Sequence, residues 1–98
     1  MPEMTFTVRW PDGAVQECYS PSLVIHDHLQ PETSYTVGEF SRRATEALDE
    51  AAERVRAKFG FACTSAAATA DDIRAAAVRY PTESMVEVVT MHPPLPIT

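Results

Sequence analysis

Between Thr36 and Gly60 the chain carries both end signals and the full apolar stripe of one long helix, and the rest of the protein has to be built against it. Thr36 is placed to accept a hydrogen bond from the Glu39 backbone, while the Glu39 side chain reaches back to Thr36, which is a capping box. Tyr35 before the cap and Phe40 inside the first turns form a hydrophobic staple across it. Phe40, Ala44, Leu48, Ala51, Val55 and Phe59 then recur at helical spacing, and Ala47 and Ala52 widen the stripe. Glu46, Asp49, Glu50, Glu53, Arg54 and Arg56 fall at other angles, and Lys58 sits in the last turn, where the helix dipole favours a cation. Gly60 supplies the left-handed residue that ends such a helix. The pattern predicts a helix over 37–59, amphipathic and in need of an apolar partner surface.

That surface is legible at the N-terminal end. Met4, Phe6, Val8 and Trp10 alternate with Thr5, Thr7 and Arg9, the period of a half-buried strand. Pro11-Asp12-Gly13 follows and suits a turn residue by residue, so 14–19 is the returning strand of a hairpin. A three-residue loop pairs Trp10 with Ala14 and Phe6 with Cys18, and leaves Ala14, Gln16 and Cys18 on the apolar face. A two-residue Asp12-Gly13 loop would instead pair Pro11 with Ala14 and bring Val15, Glu17 and Tyr19 inward. Proline cannot donate to a ladder and Glu17 would then enter the core, so the first register is favoured, with Cys18 inward and Gln16 in need of a partner.

The other elements carry fewer signals. Ser20 as a cap and Pro21 at the first helical position open a short helix over 21–29 that buries Leu23, Val24 or Ile25, and Leu29. An extended conformation for 23–25 stays open. Phe61-Ala62-Cys63 reads as a short extended stretch and 64–68 as a loop. Thr69 to Asp72 repeats the capping pattern ahead of a second helix with Ile73, Ala76, Ala77 and Tyr80 on its apolar side, closed by Pro81. Residues 85–91, M-V-E-V-V-T-M, form a strand apolar on both faces, either central in a sheet covered on two sides or facing a partner subunit. The expected architecture is a single α+β domain over 1–92, in which helices cover one face of a small antiparallel sheet made of the N-terminal hairpin and the C-terminal strand. Residues 93–98 form a Pro-rich tail.

Charge and composition narrow the function classes. The chain has 98 residues, and eight Lys plus Arg against fourteen Asp plus Glu give a net charge of −6. A surface that tracks phosphates needs clustered positive charge, so neither nucleic acid nor an anionic membrane is an expected partner. Polar and charged residues at Glu3, Arg9, Asp12 and Glu17 break every early apolar run, which argues against a leader segment, and no stretch approaches the ~20 apolar residues of a membrane span. A cytoplasmic location with reduced thiols is therefore expected, and Cys18 and Cys63, which form no C-x-x-C pair, are expected to be free.

Candidate chemistry is sparse. His26 and His28 flank Asp27, but on a helix residues two apart point in different directions, so no metal site and no cofactor are expected from them. Cys63 is the candidate catalytic nucleophile, although carbonyls at the helix end before it would raise a thiol pKa and no histidine neighbours it in sequence. An N-terminal amine on Pro2 is a second candidate base, disfavoured because the chain makes a hairpin after its first strand where enzymes of that kind place a helix. Nucleotide-loop, nucleophile-elbow and zinc-protease motifs are absent from the sequence. The carboxylates at Glu46, Asp49, Glu50 and Glu53 read as the wet face of the long helix, with Arg42, Arg43, Arg54 and Arg56 paired to them locally.

Three blocks of the sequence, V-R-W-P-D-G at 8–13, C-Y-S-P-S at 18–22 with Val24-Ile25, and E-R-V-R-A-K-F-G-F-A-C-T-S-A at 53–66, resemble a small bacterial family of nitrogen-starvation-response proteins. The resemblance runs to about residue 92. It implies a genetic setting, a cluster containing a nitrilase and linked with nitrile or cyanide assimilation, and it carries over no catalytic residue. The expectation is a small non-catalytic accessory protein of such a cluster, binding one of its enzymes or forming a homodimer through Val86 and Val88, with Trp10, Tyr19 and Tyr35 as aromatic anchors. The alternative is a ligand-handling or thiol-dependent enzyme that uses Cys63 beside Arg9, His26 or His28.

Overall fold

In the computed structural model, which describes residues 3–60 and 64–92, the alternation at the N-terminus becomes strand β1 (Met4–Arg9), with Met4, Phe6 and Val8 buried. It pairs antiparallel with β2 (Val15–Ser20) in the three-residue-loop register, Phe6 opposite Cys18, and the Trp10 N–H donates to the Ala14 carbonyl at 2.8 Å. Cys18 is buried as that register requires. Gln16 finds its partner in the Trp10 indole, whose Nε1–H donates to Oε1 at 2.9 Å. The turn is held by the Ala14 N–H on the Asp12 carboxylate and by Gly13 at a φ of 89°.

The long helix, α1 (Val37–Phe59), begins and ends at the predicted residues. Thr36 Oγ1 accepts from the Glu39 N–H at 3.2 Å, and Gly60 takes a φ of 79° and returns its N–H to the Arg56 carbonyl. Two details of the prediction change. The Glu39 carboxylate makes no reciprocal bond to the cap; it accepts from Arg42 at 2.7 Å and Arg43 at 2.8 Å, because charged donors one turn on outcompete a neutral backbone N–H. Phe59, in the last turn, is 50% exposed and carries the Lys58 ammonium over its ring. Val37, Phe40, Ala44, Ala47, Leu48, Ala51 and Val55 are the buried face.

Two segments differ from the expectation more widely. The predicted helix over 21–29 is a five-residue 3-10 helix, Leu23–Asp27, capped by Ser22 and not by Ser20. Ser20 is buried and closes the preceding turn instead, its hydroxyl donating to the Ser22 carbonyl and accepting the Ser22 N–H. Val24, Ile25 and Leu29 are buried as foreseen. The predicted loop at 64–68 is the start of α2 (Thr64–Ala77). Alanine is the best helix former, and burying Ala66 and Ala70 against α1 adds what local propensity lacks. Thr69 is therefore no cap; it lies within the helix with its hydroxyl on the Ser65 carbonyl. The stretch 61–63 lies outside the described residues.

A short strand that the sequence reading did not assign, β3 (Thr33–Thr36), completes the sheet together with β4 (Met85–His92). The order is β2-β1-β4-β3, antiparallel throughout, so β4 is central between β1 and β3. β4 looks apolar on both faces because it contains a bulge. Val8 pairs with Val88 but Thr7 with Thr90, leaving Val89 as the extra residue. The bulge resets the alternation, so Val86, Val88 and Met91 all face the core although strict pleating would turn Met91 outward.

The protein is thus α+β: two helices and the 3-10 helix lie on one face of a four-stranded sheet, in a body 38 × 33 × 17 Å. Phe6, Val8, Trp10, Phe40, Leu48, Ile73, Val86 and Val88 meet between the layers, and each large one contributes about 1.5–3 kcal/mol through the area it removes from water. Among the described residues no helix is long and apolar enough to cross a membrane.

Candidate functional site

The chain leaves β3 into α1 and leaves α2 into the 78–84 turn at the same end of the molecule, and an open groove of about 670 Å³ forms between them. Val37, Gly38, Ser41 and Arg42 line it from the first turns of α1, Arg74, Ala77 and Val78 from the end of α2, and Tyr80 and Thr82 from the turn. The turn is stitched to α1 by backbone: the Val37 N–H donates to the Ser84 carbonyl at 2.7 Å and the Gly38 N–H to the Thr82 carbonyl at 3.1 Å. A Cβ at Gly38 would meet the Thr82 side chain and carbonyl at 3.6 Å, an ordinary van der Waals contact, so the approach itself does not require glycine.

An aromatic brace holds the groove wall. Tyr80 stacks on Trp10, ring centroids 5.5 Å apart and nearly parallel, and Trp10 in turn meets Phe40 edge-on at 5.5 Å. The Asp12 carboxylate in the hairpin turn lies close enough to the Tyr80 phenol, just past the end of α2, for each to shift the other's pKa. Partial burial and the Asp12 carboxylate both hold the Tyr80 phenol above its ordinary pKa, so it stays neutral. Asp12 is pulled below the usual carboxylate range, first by the Ala14 N–H and then by Tyr80.

The groove lining carries two arginines, and each is paired with carboxylates just outside the lining. Arg42 pairs with Glu39 and Glu46, and Arg74 with Asp71 at 3.2 Å. Glu39 is held below its ordinary pKa by hydrogen bonds from Arg43 and Arg42. Arg43 extends further: it donates to the His28 carbonyl at 3.1 Å and lies over the Tyr35 ring, which fixes the 3-10 helix and β3 to α1.

The residues singled out from sequence are dispersed. Val86 and Val88 face the helices and are fully buried, as is Trp10 nearly so, which leaves them no surface to offer a partner. Tyr35 packs on the helix side, where its hydroxyl accepts the Gln30 N–H. Tyr19 lies on the opposite face of the sheet and donates to Glu3 at 2.9 Å. Cys63 and Pro2 are outside the described residues. Cys18 is sealed under the helices, and burial, with lesser contributions from Asp72 and Glu17, pushes its thiol up to about 12. His28 stands 3.9 Å from Glu50, while the helix carboxylates pair locally, Glu50 with Arg54 and Glu53 with Arg56. Among the described residues no three His, Cys, Asp or Glu side chains converge on a metal-sized position.

The sheet face away from the helices carries Thr5, Thr7, Arg9, Val15, Glu17, Tyr19, Met85 and Glu87. Val15 is 62% and Met85 51% exposed, and Arg9 pairs with Glu87 at 3.2 Å across the strands. Glu3, Met4, Thr5, Tyr19 and His92 enclose a smaller hollow of about 390 Å³ at one end of it. Sequence reading missed both hollows. The sequence pattern places Tyr80 on the apolar side of the second helix and gives Val78 no role, and nothing local says that the end of α2 meets the start of α1.

These features define a small two-layer α+β protein with an arginine-rimmed groove and one sheet face that, among the described residues, carries no helix. The chain belongs to the family of the nitrogen starvation-induced protein NitG, whose model matches residues 5–91. No curated protein and no solved structure matches it.

Proposed function

We propose that this chain serves the nitrogen starvation response as a non-catalytic accessory protein, a cytoplasmic one that binds an enzyme encoded in the same nitrilase-type gene cluster. The observation that carries the reading is the helix-free sheet face: a broad, gently polar surface in a molecule 17 Å thick, with Thr5, Thr7 and the Arg9–Glu87 pair at its centre. Glu3, Glu17 and Glu87 outnumber Arg9 on it, so the complementary partner surface is basic. A second copy of the chain, the other occupant the sequence suggests, would set like charges against each other and is the less favoured.

The test is a pull-down of the tagged protein from nitrogen-starved cells, run beside Thr7→Arg and Cys63→Ser, with the oligomeric state read by light scattering. Recovery of a cluster enzyme by the wild type and Cys63→Ser, and its loss with Thr7→Arg, supports the accessory role. Recovery of nothing, together with failure of the Cys63→Ser strain to grow on a nitrile, would replace it with chemistry at that thiol.

A further inference from the structure

We propose that the groove between the first turns of α1 and the end of α2 binds a small apolar monocarboxylate, an aliphatic or aromatic acid whose hydrocarbon body lies on Ala77, Val78 and Tyr80 while Arg42 and Arg74 hold its carboxylate. Its volume of about 670 Å³ falls in the range of small-molecule sites. Val78 is 83% exposed at its rim, a large apolar side chain held in water beside the apolar floor. The lining contains two arginines and no carboxylate, although the chain as a whole carries −6.

The donors select the ligand. A guanidinium has five N–H groups. Arg74 gives one to Asp71, and Arg42 makes one short bond to Glu39 and two long ones, 3.4 Å, to Glu46. These are exposed pairs within single helices, the kind an incoming carboxylate displaces readily. The N-terminus of α1 is not the anion-holding element, because the N–H groups of Val37, Gly38 and Glu39 are already taken by Ser84, Thr82 and Thr36. An anion here must rely on the arginine forks, which favours a planar two-oxygen group. Glu39, Glu46 and Asp71 surround those forks and disfavour a second negative charge. Tyr80, stacked on Trp10, keeps the wall in place before the ligand arrives.

This site goes beyond the accessory role and fails separately from it, since partner recovery and ligand binding are measured on different faces. The full chain, labelled with nitrogen-15, is titrated with phenylacetate, with hexanoate and with neutral phenylacetamide. Saturable shifts at Gly38, Ser41, Val78 and Thr82 and at the indole N–H of Trp10 are expected, with the acids binding about tenfold more tightly than the amide. Arg74→Gln, on an exposed helix surface, is expected to stay folded by circular dichroism and to weaken phenylacetate by about tenfold, whereas Arg56→Gln at the far end of α1 leaves it unchanged. Shifts that never saturate or fall elsewhere would overturn the site. Equal binding of acid and amide, or indifference to Arg74→Gln, would overturn the carboxylate assignment.

Discussion

Cys18 shows how one residue's chemistry is set by its register. The same thiol on the outer face of β2 would be accessible; opposite Phe6 it is 2% exposed and its pKa is pushed up to about 12. A thiol whose folded pKa is raised binds its proton more tightly in the folded state. Its contribution is therefore complete below the ordinary value of 9.0 and is lost as pH rises from there toward 12, by up to about 4 kcal/mol. In a Cys63→Ser background, urea midpoints measured at pH 9 and above are expected to fall with pH, and Cys18→Ala to flatten that slope. A thiol reagent is likewise expected to label Cys18 only after unfolding, as peptide mapping would read.

At the scale of elements, ends and faces can be perturbed separately. Gly60 closes α1 with a φ of 79° and has open space where a Cβ would stand, so Gly60→Ala incurs only the left-handed backbone penalty, about 1 kcal/mol, read as a lower Tm with an unchanged spectrum. Val88→Glu is a different kind of change. Val88 is fully buried between β1 and β3 beneath the helices, and a carboxylate there is expected to cost more than about 3 kcal/mol and to abolish the folded circular dichroism spectrum. A soluble, folded Val88→Glu protein altered only in oligomeric state would mean that β4 faces a partner and that the helix layer is misplaced. Element types were largely legible because each long element carries its own period. The exceptions have physical causes: β3 is four residues with little alternation, and the opening alanines of α2 give a featureless pattern until α1 provides a surface for Ala66 and Ala70.

For the whole molecule, the contact that joins its parts is the Trp10–Tyr80 stack. It links the hairpin turn, the end of α2 and, through Phe40, the start of α1. Tyr80→Ala is expected to destabilise the fold by about 1 to 2 kcal/mol and, because Trp10 is the chain's one tryptophan, to red-shift its emission as water reaches the indole. An unshifted spectrum with an unchanged Tm would mean that Trp10 is sealed by other neighbours. The groove owes its shape to this brace, and for that reason it was invisible in the sequence: Arg42 and Arg74 are 32 positions apart, and only the antiparallel return of α2 along α1 brings both to one hollow.

What the residues determined alone were features with a local cause. Thr36 and Gly60 bound the long helix because capping and left-handed backbone are decided within a few bonds, and Pro11-Asp12-Gly13 set the hairpin register because a turn admits few geometries. The tertiary structure decided what depends on competition between distant groups. Arg42 and Arg43 took the Glu39 carboxylate from the cap, and a bulge at Val89 turned Met91 to the same buried face as Val86 and Val88. Burial is a property of a surface and its cover together, and a sequence pattern supplies only one of the two.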